Sequence, residues 1–220
     1  MRTIGIVGTG TMGCGIAQVG SQIRCQVVFQ NRRQESVDRG LAGIRKSVDK
    51  LVAKGKLSDA QGDGILERIR GVVGLEDLKG CDLVIESAPE DFETKRQILQ
   101  ALDRIVSDDC VIATNTSSLS VTRLAGCVSR PGHFVGMHFF NPVPAMKLVE
   151  VVKGFRTTSD TVARVRSFAE ALGKLPVEVK DAPGFVVNRV LFPMINEAAY
   201  ALGEGVADAA GIDECMKGGC

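Results

Sequence analysis

The length, composition and charge of the chain exclude several classes of protein. Its 220 residues are 45% apolar, which predicts a globular fold of one large domain and part of another. The net charge of +1 argues against a nucleic-acid partner, and no apolar run is long enough to predict a membrane span.

The first thirty residues predict a dinucleotide-binding unit. Strand-like runs at 3–7 and 26–30 enclose a glycine turn and a helical pattern, and the turn fits G-x-G-x-x-G. A glycine turn can arise for steric reasons alone, but the order strand, turn, helix, strand favours cofactor binding. Gly8 permits the tight turn, Gly10 lets a pyrophosphate approach the backbone, and Gly13 lets the helix pack on the strand. The cofactor residues predicted here are Gly8, Gly10, Thr11, Met12 and Gly13.

The end of the second strand bears on the choice of cofactor. Folds of this kind place an acidic residue here to hold the ribose hydroxyls of NAD, whereas this chain has Asn31 followed by Arg32 and Arg33. Arginine binds a 2′-phosphate through paired donors, which an acid would repel. The cofactor is therefore predicted to be NADP or NAD, with a preference for NADP. The alternative interpretation is a solvated basic turn.

The middle of the chain alternates helices and strands. Apolar spacing predicts a helix from Val37 to Val52 and another from Ser58, a pair expected to project beyond the sheet. Strands are predicted at 72–73, 81–86 and 111–114, with a helix over 91–106. A polar loop containing Ser117 follows the last of these strands, although a polar loop residue alone is weak evidence for catalysis.

An acid within an apolar strand predicts a catalytic pair. Glu150 interrupts the strand-like run 148–152, and a carboxylate there is costly unless it is paired. Of the two histidines, His133 follows a turn-like segment, whereas His138 follows a strand and precedes a rigid Asn-Pro loop. We therefore predict His138 as the general base with Glu150 as its partner. The alternative is a core histidine without a catalytic role.

The remaining segments complete the predicted fold. A helix over 159–172 and a strand over 175–179 precede a break at 181–184. We predict an NAD(P)-binding domain over 1–182 and the beginning of a helical domain over 183–220. The fold class is α/β, a Rossmann-like doubly wound sheet with a projecting helical pair, followed by the start of a truncated all-α C-terminal domain. Pro193 is expected to kink the first helix of that domain.

The cysteines and histidines predict no metal site. The seven cysteines contain no C-x-x-C pair, and only two histidines are present. Free thiols, and with them a cytoplasmic protein, are the expectation.

Four segments together resemble the 3-hydroxyacyl-CoA dehydrogenases, and within them the group of bacterial 3-hydroxybutyryl-CoA dehydrogenases. These segments are the glycine motif 8–13, Thr-Asn-Thr-Ser-Ser-Leu at 114–119, His-Phe-Phe-Asn-Pro-Val-Pro at 138–144 with Lys-Leu-Val-Glu at 147–150, and the run 180–189. The resemblance covers nearly the whole chain, and its His-Phe-Phe-Asn-Pro block is the most specific part.

The resemblance implies a reaction and a set of site residues. The reaction is hydride transfer between NAD(P) and the pair (S)-3-hydroxybutyryl-CoA and acetoacetyl-CoA. His138 acts as base and Glu150 orients it, Ser117 and Asn188 hold substrate oxygens, and Asn141 supports the site. Glu90, Lys95 and Asn115 line the cofactor, and Ser47 and Lys54 contact coenzyme A. The family continues past residue 219, which implies a homodimer where that C-terminal domain is complete.

Two other functions fit parts of the sequence. A dehydrogenase of the same superfamily that acts on a free hydroxy acid would not need Lys54 or the basic helix. A cofactor-binding protein without turnover would need neither His138 nor Glu150.

Overall fold

A computed structural model describes all residues of the chain, 1–220. The chain divides into two compact units, Met1–Ala182 and Pro183–Cys220. The first holds every strand and the second is helical. No helix combines the length and the hydropathy that a bilayer span requires.

The first unit is built on one eight-stranded sheet. Its order is β3-β2-β1-β4-β5-β6-β7-β8. The first three strands therefore extend from β1 to one edge of the sheet, and β4 pairs with the other side of β1 and begins the half that ends at β8. The six strands from β3 to β6 are parallel, which brings their carboxyl ends to one edge of the sheet, where open sheets of this class bind ligands. The strands are β1 Thr3–Val7, β2 Gln26–Gln30, β3 Ile69–Val72, β4 Leu83–Glu86, β5 Val111–Thr114, β6 Phe134–Phe139, β7 Leu148–Lys153 and β8 Leu175–Lys180.

Eight α-helices accompany the strands. Several begin at a side-chain cap that accepts a backbone N–H, as Ser58, Asp91 and Thr158 do. The helices are α1 Thr11–Gln22, α2 Gln34–Ala53, α3 Asp59–Glu67, α4 Phe92–Ile105, α5 Val121–Ala125, α6 Ser159–Ala171, α7 Val187–Gly203 and α8 Ala209–Gly219.

The core lies where helices cover the central strands. Ile4 and Ile6 of β1 and Leu83 and Ile85 of β4 are fully buried, as is Ile16 of α1. Continuous apolar strands of this kind are typical of a parallel sheet covered on both faces. The predicted Rossmann-like α/β class is confirmed.

The structure corrects one detail of the sequence prediction and adds two that were not predicted. β3 begins at Ile69 and ends at Val72, so Val73 lies outside it and is half-exposed. β7 runs antiparallel to β6, and β8 runs parallel to β7, whereas the pattern predicted strands without their directions. α5 was not predicted, because its five residues are too few for an apolar period.

α5 is held by a carboxylate distant in the sequence. Asp181 accepts hydrogen bonds from the Ser120 hydroxyl at 2.8 Å and from the backbone N–H groups of Val121 at 3.1 Å and Thr122 at 2.7 Å. Partial burial raises the pKa of Asp181, but these hydrogen bonds outweigh it and hold that pKa below its ordinary value. Asp181 therefore stabilises the fold in its charged form.

Replacing Asp181 with Asn should destabilise the chain at neutral pH by about 1–2 kcal/mol, because fewer acceptors face α5. A carboxylate with a lowered folded pKa stabilises above its unfolded pKa, near 4, and loses this contribution as pH falls through the folded value. The difference between wild type and Asp181→Asn should therefore shrink below about pH 4. Urea denaturation at pH 7 and pH 3 measures it, with exposed Asp49→Asn as control. A difference in unfolding free energy that is as large at pH 3 as at pH 7 would contradict this account.

The second unit consists of α7 and α8. α7 contains Pro193, and neither helix has a buried residue. Exposed apolar side chains on α7 include Val190, Phe192, Ile195 and Tyr200.

Candidate active site

The centre of the site is a histidine–carboxylate pair on adjacent strands. His138 of β6 lies directly opposite Glu150 of β7 in the antiparallel register. His138 Nδ1 and Glu150 Oε2 are 2.7 Å apart, and the two residues are 6% and 1% exposed. Burial removes both side chains from water, which is unfavourable for the Glu150 carboxylate. The hydrogen bond to His138 compensates this desolvation cost.

The hydrogen bond determines how the imidazole can act. A carboxylate can only accept a hydrogen bond, so Nδ1 carries the ring proton and its N–H donates a hydrogen bond to Glu150 Oε2. In the neutral ring the lone pair then belongs to Nε2, which is the nitrogen able to accept a proton. The Phe140 ring lies 4.5 Å from the imidazole, centroid to centroid, and adds an apolar contact. This arrangement would allow the imidazole to act as an oriented general base.

Asn115 connects three strand ends beside this pair. Its backbone N–H donates to the Glu86 carbonyl at 2.8 Å, and its side-chain Oδ1 accepts from Phe139 N–H at 2.9 Å. Its Nδ2 donates to Ser87 Oγ at 3.4 Å. Asn115 therefore fixes the exits of β4, β5 and β6 relative to one another.

The loop that contains Ser117 is organised by Glu90. One carboxylate oxygen of Glu90 accepts from Thr116 Oγ1 at 2.5 Å, from Ser117 N–H at 2.8 Å and from Ser118 N–H at 3.1 Å. Partial burial raises the pKa of Glu90, but these donors and the Lys95 ammonium outweigh it and lower that pKa below its usual range. An ionised Glu90 thus shapes the loop, a contact that the sequence did not indicate.

A buried ion pair supports Glu90 from behind. Lys95 is 1% exposed, and its Nζ lies 2.7 Å from Glu86 Oε1 and 3.4 Å from Glu90 Oε2. Thr114 Oγ1 donates to the other oxygen of Glu86 at 2.7 Å. The sequence prediction did not include the pairing of Lys95 with Glu86. The sequence pattern that could have indicated it is an acidic residue at the end of an apolar strand followed by a lysine in the first turn of the next helix.

The glycine turn has the shape that a phosphate group requires. Gly8 has φ +107°, and a Cβ there would lie 2.4 Å from the Ser87 carbonyl oxygen. A Cβ on Gly13 would lie 1.9 Å from the Gly8 carbonyl oxygen, whereas one on Gly10 would meet no atom within 4 Å. Gly10 caps α1 without a side chain, so the helix N-terminus faces an open approach. The residues present fit a bound pyrophosphate.

A cleft of about 670 Å³ runs from this turn between α1, α2 and the loop after β6. Five predicted site residues line it together, namely Gly10, Thr11, Asn31, Ser47 and Asn141. Asn31 Nδ2 donates to Thr9 Oγ1 at 3.0 Å. The cleft therefore joins the glycine turn to the segment that follows His138.

Family models match both units of the chain. The model described as 3-hydroxyacyl-CoA dehydrogenase, NAD binding domain, matches residues 3–182, and the one described as 3-hydroxyacyl-CoA dehydrogenase, C-terminal domain, matches residues 184–220. The chain belongs to the 3-hydroxyacyl-CoA dehydrogenase family.

Relatives in this dehydrogenase family are similar over almost the whole chain. A probable 3-hydroxybutyryl-CoA dehydrogenase of Deinococcus radiodurans is 46% identical over 213 residues, which are 97% of this chain and 76% of that protein. The 3-hydroxybutyryl-CoA dehydrogenase of Clostridioides difficile is 44% identical over 97% of this chain and 76% of its own length. The crystal structure of (S)-3-hydroxybutyryl-CoA dehydrogenase from Ralstonia eutropha has a TM-score of 0.98 at 49% identity, covering all of this chain and 78% of that one.

The other predicted residues are not among those that line the cleft. Arg32 and Arg33 are exposed after β2, and Met12 is half-buried against the core. Lys54 is the exposed C-cap of α2 and is not among the residues that line the cleft. Asn188 is the second residue of α7, in the second unit.

Proposed function

We propose that this chain interconverts (S)-3-hydroxybutyryl-CoA and acetoacetyl-CoA by hydride transfer with a nicotinamide cofactor. The observation that carries the proposal is the buried pair of His138 and Glu150, with 2.7 Å between Nδ1 and Oε2. A family match alone does not supply chemistry, whereas a base oriented by a buried acid does.

The residues act on the proton of the substrate hydroxyl. His138 Nε2 accepts that proton during oxidation and returns it during reduction, since imidazole can do both near neutral pH. Glu150 keeps Nδ1 protonated and stabilises the imidazolium once it forms. We assign Ser117 and Asn188 to the substrate oxygens and Asn141 to support of the same site. The Glu90 hydrogen bonds then hold the Ser117 loop in position.

The cofactor is assigned to the glycine turn and the edge of the sheet next to it. The N-terminus of α1 and the Gly10 backbone receive the pyrophosphate, and Glu90, Lys95 and Asn115 support the region beyond it. The nicotinamide ring, when bound, takes or gives the hydride. For Lys95 this support is indirect, because its ammonium is buried between Glu86 and Glu90.

We propose NADP as the preferred cofactor, within a family whose domain is described as NAD-binding. Asn31 supplies no carboxylate, and its amide is held by Thr9 Oγ1 and the Arg33 N–H. Replacing Asn31 with Asp should shift kcat/KM toward NADH by about tenfold or more, because the new charge repels a 2′-phosphate and accepts from ribose hydroxyls. Arg32→Ala should raise KM for NADPH only. A wild-type preference for NADH would reject the proposal.

One absorbance assay tests the reaction itself. When the protein is mixed with acetoacetyl-CoA and NADH or NADPH, the absorbance of the reduced cofactor should fall as the cofactor is oxidised. With acetoacetate in place of acetoacetyl-CoA, the absorbance should stay constant. Turnover of acetoacetate would instead favour a free hydroxy-acid dehydrogenase. Cofactor binding without turnover of either compound would favour a cofactor-binding protein.

We assign Ser47 and Lys54 to coenzyme A, since Ser47 lines the cleft and the exposed cation of Lys54 suits a phosphate. Homodimer formation stays a prediction for a chain whose C-terminal helical domain is complete. The exposed apolar side chains of α7 support it, and sedimentation or size-exclusion measurements test it.

A further inference from the structure

One buried polar group in the cleft is not explained by the assignments above. Gln18 is 2% exposed, and its Nε2 has no hydrogen-bond partner in the structure. Its side chain lines the cleft between α1 and α2. A buried donor without a partner is unfavourable and calls for an explanation, and a ligand that carries an acceptor would supply one.

The position of Gln18 separates it from the phosphate end of the cofactor. Gln18 lies seven residues after Thr11 on α1, which is about 10 Å along the helix axis. Phosphates at the N-terminus of α1 are therefore about two turns away. Gln18 belongs to the part of the cleft that continues past the glycine turn.

The walls around Gln18 suit a long, narrow ligand. The α2 residues that line the cleft extend from Ser36 to Ser47, about 16 Å along the helix. A Cβ on Gly15 would lie 2.7 Å from Val143 Cβ, so α1 and the loop after β6 are in close contact there. A Cβ on Gly43 would meet no atom within 4 Å, so the α2 wall is open at that point.

We propose that Gln18 recognises the substrate, donating a hydrogen bond from its side-chain amide to a carbonyl oxygen in the amide-bearing arm of an acyl-CoA. The inference rests on the proposed function, which supplies a ligand with a long arm and a reacting end near Asn141. Nε2 is buried in the structure, so the proposal requires a rotation about χ3, a broad torsion in glutamine, that exchanges Nε2 and Oε1 and brings the N–H to the cleft when the arm is bound. The arm provides the acceptor that the protein itself does not.

The test replaces Gln18 with Met, which has a similar length and no amide. KM for acetoacetyl-CoA and the calorimetric Kd for free coenzyme A should each rise by about three- to tenfold, as expected for one lost hydrogen bond. The Kd for NADH or NADPH should not change. The unliganded variant should be as stable as wild type or more stable, because a buried donor without a partner is removed. Exposed Gln22→Met, on the same helix, is the matched control.

Two results would overturn the inference. A weaker reduced-cofactor Kd with unchanged coenzyme A affinity would assign the amide to the cofactor. Unchanged affinities with a lower unfolding midpoint would make Gln18 a structural residue only. If wild type shows no turnover of acetoacetyl-CoA but its coenzyme A affinity still depends on Gln18, the proposed function fails and this inference stands.

Discussion

Replacing His138 with Asn is expected to lower kcat by about 10²- to 10⁴-fold, the usual range for loss of a general base. Asn is the informative replacement because its Nδ2 occupies the place of the imidazole Nδ1. It can still donate to Glu150, so the buried carboxylate keeps a partner and the sheet keeps its packing. The nitrogen that would accept the substrate proton is lost. Steady-state reduction of acetoacetyl-CoA measures the effect.

Two other variants separate catalysis from folding. Glu150→Gln should lower kcat less than His138→Asn does, since the base remains and only the charge that stabilises the imidazolium is removed. His133→Asn changes the other histidine, whose Nδ1 lies 2.8 Å from the Asp108 carbonyl oxygen, and should leave kcat unchanged. Cofactor affinity, measured by NADH fluorescence, should be the same in all three variants. Weakened cofactor binding with unchanged turnover in His138→Asn would contradict the assignment.

Replacing Gly13 with Ala should destabilise the first unit by at least about 3 kcal/mol or prevent its folding. The added Cβ would lie 1.9 Å from the Gly8 carbonyl oxygen, which is a backbone atom in a tight turn. A clash with a side chain could be relieved by rotation of that side chain. This clash is with a backbone atom, so the glycine turn and α1 would have to move apart. Urea denaturation followed by circular dichroism measures the loss in unfolding free energy. If the Gly13→Ala variant does not express as soluble protein, the variant does not fold stably, which is the stronger of the two expected results.

Gly10→Ala is the matched control for this variant, because the two glycines belong to the same motif. A Cβ on Gly10 meets no protein atom within 4 Å, so stability should change by less than about 0.5 kcal/mol. The new methyl group would instead occupy the open approach to the α1 N-terminus, and cofactor Kd should rise by about tenfold or more. If Gly10→Ala bound cofactor normally, the pyrophosphate would not lie at this turn.

Local sequence signals were sufficient for most of the first unit. The strands β1, β2, β4 and β5 are dense apolar runs, and the glycine motif between β1 and α1 identifies the turn. The pairing of His138 with Glu150 was also accessible, because a buried acid requires a partner and the chain offers two histidines. The pairing follows from the need of a buried carboxylate for a partner and does not require the register of β6 and β7, which only the structure gives.

The features that escaped prediction depend on contacts between distant segments. Asp181, which accepts hydrogen bonds from the first residues of α5, lies about sixty residues further along the chain. The antiparallel direction of β7 did have a local signal that the prediction did not use, since the eight residues 140–147 between β6 and β7 are too few for the crossover that a parallel pair needs. Glu90 and Lys95 acquire their partners only after α4 folds against β4 and the Ser117 loop.

The antiparallel ladder between β6 and β7 has a consequence for how this protein can change over evolutionary time. Because His138 and Glu150 face each other within the ladder, their spacing does not depend on the connecting segment 140–147. That segment borders the cleft, and its residues other than Asn141 can be exchanged without changing the spacing of the acid–base pair. New acyl groups could thus be accommodated by remodelling one hairpin tip, without rebuilding the acid–base machinery.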